Sequence, residues 1–145
     1  MIDLSKILTN RVFFRLIESI DNMNNSSYNF NGMAWKVETT DEYDAWFFEQ
    51  AEGGQASIQQ KVELLKEYGP HLPRPHADTL KGSKLNHLKE LRIQTENHVF
   101  RVAFIFDEER KAVLLIGGDK KGKNEKRFYR NLIKQAEEVY KDYRN

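Results

Sequence analysis

The sequence predicts an α+β domain with two layers, in the element order β-α-α-β-β-β-α. Three observations carry that prediction. Residues 88–116 alternate apolar and polar positions at the period of β-strands, two helical patterns precede them, and a third closes the chain. Helices gathered before an antiparallel meander give a mixed rather than a doubly wound architecture.

Taken in order, residues 3–20 place Leu4, Leu8, Phe13, Leu16, Ile17 and Ile20 at helical spacing. Residues 21–31 hold five asparagines and two serines and read as a linker. Met33 follows, so residues 1–32 are expected to be an N-terminal extension and residues 33–145 the compact domain. Trp35 to Thr39 alternate as a strand. Thr39 with Glu42 forms a capping-box pattern that opens a helix through Tyr43, Trp46, Phe47 and Gln50, and Gly53-Gly54 is expected to break it. Ser57 with Gln60 offers a second capping box, Ile58, Val62, Leu65 and Tyr68 keep one face apolar, and Gly69-Pro70 ends that helix. Pro70, Pro73 and Pro75 make residues 69–78 an extended loop. After the strands, residues 125–143 are helical, with Phe128, Leu132, Ala136, Val139, Tyr140 and Tyr143 at core spacing.

The strands hold the most informative feature. Thr95-Glu96-Asn97-His98 reads as a tight turn in which Asn97 tolerates a positive φ. Counting outward pairs Thr95 with His98, Ile93 with Phe100, Arg92 with Arg101 and Leu91 with Val102. Leu91, Ile93, Phe100, Val102, Phe104 and Phe106 then share the core face, and both arginines lie on the other. Like charges opposed across strands are destabilising, so the pair requires a carboxylate or an anionic ligand. A second turn through residues 107–111 pairs Phe106 with Ala112, Phe104 with Leu114 and Val102 with Ile116, which sets Gly117 opposite Arg101. The expected result is a shallow basic groove, closed by Lys120, Lys121 and Lys123, whose register a one-residue slip would overturn.

Composition narrows the class. The net charge of +1 conceals a gradient, with 7 basic and 12 acidic residues in 1–80 against 16 basic and 10 acidic in 81–145. A polyanionic partner for the second half or a solvated basic face would each account for it. Cysteine is absent, so there is no thiol nucleophile and no Cys-based zinc site. Arg15 and Glu18 interrupt the apolar run around Val12-Phe13-Phe14, which argues against a membrane span or a secretory signal and for a cytoplasmic protein. The histidines at 71, 76, 87 and 98 lack metal-ligand clustering, and Gly117-Gly118 before Lys120 lacks the spacing of a nucleotide-binding loop.

The run Gly69-Pro70-His71-Leu72-Pro73-Arg74-Pro75, with Leu80-Lys81-Gly82-Ser83, Leu88-Lys89-Glu90-Leu91-Arg92-Ile93, Phe100-Arg101-Val102-Ala103-Phe104 and Asp119-Lys120-Lys121, resembles the HigB-like toxins of the RelE/ParE toxin–antitoxin superfamily, in its phage-derived branch. The similarity runs from about Met33 to the C-terminus and leaves the extension without a counterpart. It implies a RelE/ParE-like two-layer fold and a ribosome-dependent mRNA endonuclease that needs no metal or other cofactor. It also implies neutralisation by a HigA-like helix-turn-helix antitoxin. ParE-like members of the superfamily instead poison gyrase, and a degenerate relative would bind RNA or antitoxin without cutting.

Metal-free cleavage by 2′-OH attack needs stabilisation of a dianionic phosphorane and two proton transfers. Arg92 and Arg101 suit the first task, since guanidinium bonds phosphate bidentately and stays charged. The resemblance assigns Lys120 and Lys121 to substrate gripping or to protonation of the leaving oxygen, and Tyr129 to stacking on a base. Lys84, Lys89 and Lys123 are further RNA-contacting candidates. Glu90, on the arginine face and kept ionised by its cationic neighbours, is the candidate general base; His98 and His87 are weaker alternatives. Simple pairing of Glu90 with Arg92 is the structural alternative.

Overall fold

A computed structural model describes residues 35–145; the expected helix, linker and start at Met33 lie outside the described residues. Five strands form one sheet in the order β1-β5-β4-β3-β2. They are β1 (Lys36–Thr39), β2 (Ala77–Thr79), β3 (Lys89–Gln94), β4 (Val99–Phe106) and β5 (Lys111–Asp119). The helices are α1 (Asp41–Phe48), α2 (Glu52–Tyr68) and α3 (Glu125–Arg144).

β1 runs parallel to β5, while the β5–β4, β4–β3 and β3–β2 pairs are antiparallel. The mixed α+β class is therefore as the sequence predicts, with one strand more. The proline-rich stretch is not wholly loop: it folds into a 3₁₀ turn, Gly69–His71, and then β2, whose three residues are too few to show a period.

Helix starts follow local hydrogen bonds. Thr40, not Thr39, caps α1: its Oγ1 accepts from Tyr43 N at 3.0 Å and donates to Leu115 O at 2.6 Å, so one hydroxyl serves cap and sheet together. Gly53-Gly54 do not break the chain but fill the first turn of α2, which starts after Ala51 without a side-chain cap. A Cβ on Gly54 would touch the Phe100 ring at 3.4 Å, so the small residue lets the turn approach the sheet. Ser57 is consequently inside the helix and donates back to Gly53 O at 3.1 Å. Gly69 ends α2 at φ 54°, and Trp35 fills the space where a side chain would stand.

The sheet is covered on both faces rather than one. Leu91, Ile93, Phe100, Val102 and Phe104 are buried on the face that meets α1 and α2, whose buried residues are Tyr43, Phe47, Ile58, Val62 and Leu65. The opposite face carries Ala103, Ile105, Val113 and Leu115, and α3 seals these with Phe128, Leu132, Ala136 and Val139. Apolar residues on both sides of β4 and β5 required this second cover, which a two-layer reading omits. Tyr143, expected in the core, is 39% exposed and donates its hydroxyl to the Glu38 carboxylate. Among the described residues no helix is long and apolar enough to cross a membrane.

The β3–β4 register is the expected one, with Arg92 opposite Arg101. Its turn differs, because Asn97 has no positive φ; Thr95 Oγ1 instead accepts from the backbone N–H groups of Asn97 and His98, at 3.3 and 3.0 Å. Between β4 and β5 a bulge at Leu115 shifts the pairing: Phe104 still meets Leu114, but Ala103 meets Ile116, Val102 meets Gly117 and Arg101 meets Gly118. Gly117 therefore underlies Trp46 of α1 on one face, and Gly118 underlies Phe128 of α3 on the other.

Candidate functional site

β3 and β4 bring Glu90, Arg92 and Arg101 together on the face shared with α3, as strand alternation requires. Arg92 Nε lies 3.5 Å from Glu90 Oε1 and Arg101 Nε lies 3.7 Å from Oε2. Tyr129 of α3 closes the cluster: its hydroxyl accepts from Arg101 Nε at 3.1 Å and donates to Glu90 Oε1 at 3.2 Å. Arg101 Nη1 donates to Phe100 O at 3.0 Å.

Burial separates the two arginines. The Arg101 side chain is 6% exposed and Glu90 5%, whereas Arg92 keeps 26%. The expectation of two outward guanidiniums thus fails for Arg101, which is held under the surface by Tyr129, Glu90 and a backbone carbonyl. Glu90 serves both arginines, so simple Arg92 pairing describes only part of its role. Two polar atoms of the cluster, Arg92 Nε and Glu90 Oε2, are buried without a hydrogen-bond partner. Each keeps only a long ion-pair contact, at 3.5 and 3.7 Å, so the charges of the cluster are incompletely satisfied from within.

Glu90 also differs from expectation in proton affinity. Desolvation raises its pKa above 4.5, outweighing the lowering by the Tyr129 bond, Arg101 and Arg92. Burial likewise raises the Tyr129 hydroxyl, against the opposing bond from Arg101. With Glu90 ionised, two guanidiniums and one carboxylate leave a net single positive charge; its protonation adds another. The cluster can attract an anion and exchange a proton at one point.

The lysines divide around it. Lys120 Nζ donates to Glu125 Oε1 at 2.8 Å and lies 5.5 Å from the Tyr129 ring centre, which puts it at the cluster's rim. The Tyr129 ring is thus covered on one side by a cation, so stacking on a base would have to use its other side. Lys121 Nζ donates to Glu96 O at 3.2 Å, beside the β3–β4 turn. Lys123 Nζ sits 5.9 Å from the Phe128 ring centre. Lys84 is exposed and its backbone N–H meets Glu137, eight residues, or roughly 12 Å, along α3 from Tyr129. Lys89 projects to the other sheet face, since it is adjacent in β3 to Glu90 and pairs with Phe104. Of the predicted residues, Glu90, Arg92, Arg101, Tyr129 and Lys120 assemble; Lys121, Lys123, Lys84 and Lys89 do not.

A second polar cluster escaped sequence reasoning. His98 Nδ1 lies 2.7 Å from Asp119 Oδ2, and Asp119 Oδ1 accepts from Val99 N and Lys121 N, each at 3.0 Å. The imidazole stacks on Phe100 at 4.7 Å and 13°. Desolvation raises the Asp119 pKa, but the His98 bond and the two backbone N–H groups together bring it below 3.8. The partners stand 21 residues apart, and only the bulged β4–β5 register could have foretold their meeting. His87, the other weak alternative, is an exposed loop residue with φ 67°. Among the described residues no three His, Asp or Glu side chains gather as a metal site would require.

Residues 45–141 match the family described as phage derived protein Gp49-like (DUF891). The chain is similar to the putative toxin HigB3 of Mycobacterium tuberculosis, at 40% identity over 95 residues, which covers 66% of this chain and 81% of that one. It is also similar to the putative toxin HigB2 of that organism, at 36% identity over 83 residues, covering 57% of this chain and 41% of that one. The solved structure of a free-state mutant of the E. coli toxin RelE superposes with a TM-score of 0.51 at 12% identity, covering 71% of this chain and 97% of the other. That superposition bears on fold alone.

Proposed function

Because this chain belongs to the Gp49-like family, of HigB/RelE type, we propose that it is the toxin of a toxin–antitoxin pair and that it acts as a metal-independent endoribonuclease on mRNA at the ribosome. The observation that carries the reading is the Glu90–Arg92–Arg101–Tyr129 cluster. The names of the HigB relatives support the toxin role, and a HigA-like antitoxin is the proposed partner.

In this reading Arg92, the more exposed guanidinium, contacts the scissile phosphate, and Lys120 at the rim adds a second charge. Arg101 is a positioning residue: it fixes the Tyr129 hydroxyl, which in turn fixes Glu90. Glu90, as buried as Arg101, takes the 2′-OH proton through the Tyr129 hydroxyl, which passes its own proton to Glu90 Oε1 as it accepts the substrate's; burial tunes the affinity of that carboxylate upward. The proton then leaves to the 5′ oxygen through Glu90 itself or Lys120. The test is to add the full chain to a translating extract and map mRNA ends. Cuts that vanish with Glu90→Gln and Arg92→Gln are expected, and uncut transcripts with the wild type would overturn the reading.

The burial of Arg101 favours one second reading, a relative that binds RNA or its antitoxin without cutting. In that case translation falls while transcripts stay whole.

A further inference from the structure

The open end of β5 lies outside the cluster just described. β1 pairs only with Lys111 to Leu114, after which the chain turns into α1. Beyond that point the β5 edge, α1 and the N-terminal half of α3 enclose a groove of about 640 Å³. We propose that this groove and the adjoining basic face of α3 form a second RNA site, which takes single-stranded nucleotides along the β5 edge between α1 and α3. It rests on the reading above only in naming RNA as the ligand.

Charge supplies the first argument. Residues 120–134 hold seven lysines and arginines and one acid, Glu125, which is engaged by Lys120. Lys126, Arg127, Arg130 and Lys134 have no carboxylate within ion-pair reach among the described residues. Such a surface attracts a phosphate backbone through counterion release.

Spacing supplies the second. Arg127, Asn131 and Gln135 recur every four residues, all exposed and all lining the groove, and so form one polar stripe beside the apolar stripe that seals the sheet. A guanidinium followed by two amides offers a phosphate contact and then hydrogen-bonding groups for base edges. Across the groove lies Trp46, partly exposed and laid against Gly117 so closely that a Cβ there would fall 2.3 Å from its ring. That glycine lets an indole lie flat at the groove wall, where unpaired bases can stack. Of the two acids in the lining, Asp119 is taken up by His98 and backbone N–H groups, and Glu49 stands on the α1 side.

The test uses the full chain and a fluorescent 2′-O-methyl oligoribonucleotide, which cannot be cut, in anisotropy titrations across a salt series. Replacing Lys123 and Arg127 together by glutamine, both exposed, should weaken binding by about 10-fold and lower the log–log salt slope by about 1.4, or about 0.7 per lost phosphate contact. Trp46→Phe should reduce RNA-dependent quenching of tryptophan emission. Unchanged affinity and slope in the double variant would overturn the proposal and leave the groove to a protein partner. The two readings fail separately: groove-dependent binding by a protein that cuts no mRNA supports this site, while cleavage with unchanged groove-variant binding refutes it. Repeating the titration with vacant ribosomal small subunits assigns the site to ribosomal RNA if the variant loses them, and to message if only free RNA is lost; either loss supports it.

Discussion

Glu90 and Asp119 are carboxylates on opposite faces of the same bent sheet, each beside basic partners, yet their proton affinities move in opposite directions. Glu90 is sealed beneath Tyr129 and its cations sit at 3.5 and 3.7 Å, too far to repay desolvation fully. Asp119 keeps 31% of its side chain in solvent and receives a near bond from His98 and two backbone N–H groups. Proximity to cations therefore does not decide which carboxylate holds its proton more tightly than usual. Burial and the directness of hydrogen bonds do.

The largest test of the contrast is Arg101→Ala. Removing a buried cation leaves Glu90 desolvated with one partner fewer, which should cost about 3–5 kcal/mol of unfolding free energy in denaturant titrations. Because Glu90 can escape by taking up a proton, that deficit should shrink on acidification. Arg92→Ala should act mainly on the proposed reaction, lowering the rate of mRNA cleavage in a translating extract about 100-fold with a smaller stability loss, since its side chain is partly solvated. Tyr129→Phe should cost about 1 kcal/mol and push the Glu90 titration, read by NMR, still higher, because the lost hydroxyl bond is one of the influences holding it down.

The smallest effects have opposite signs. The Glu90 pKa is raised on folding, so its ionisation subtracts stability as pH climbs from 4.5 through the folded value; Glu90→Gln should flatten that part of a melting-temperature profile. The Asp119 pKa is lowered, so its contribution is present above pH 3.8 and lost as pH falls through the folded value; Asp119→Asn should flatten the acid limb instead. Finding both variants to flatten the same limb would refute the comparison.

Much of this arrangement was legible in the chain. Alternation across Leu91, Ile93, Phe100, Val102 and Phe104 leaves little freedom in β3–β4 register, so the facing of Arg92 and Arg101 could be counted from the turn. Alternation could not reveal the bulge, because Val113, Leu114 and Leu115 are all buried and both faces of β5 are apolar. The burial of Arg101 depended on where α3 would place Tyr129, a tertiary fact with no local signature. The helix starts were missed for a related reason: Thr40 was chosen over Thr39 by a bond to β5, 75 residues away.

The extra residue at Leu115 acts as a parity switch. Were Leu115 paired with Ala103 in regular register instead of bulged, Asp119 would pair with Val99 rather than Phe100 and point to the side that carries Arg101, where a second acid would erase the surplus positive charge. One residue added between Leu115 and Asp119 would do the same, moving Asp119 from its histidine to the arginine side. A single insertion in β5 can accordingly rearrange the charge of the cluster while leaving every charged residue of the sequence in place.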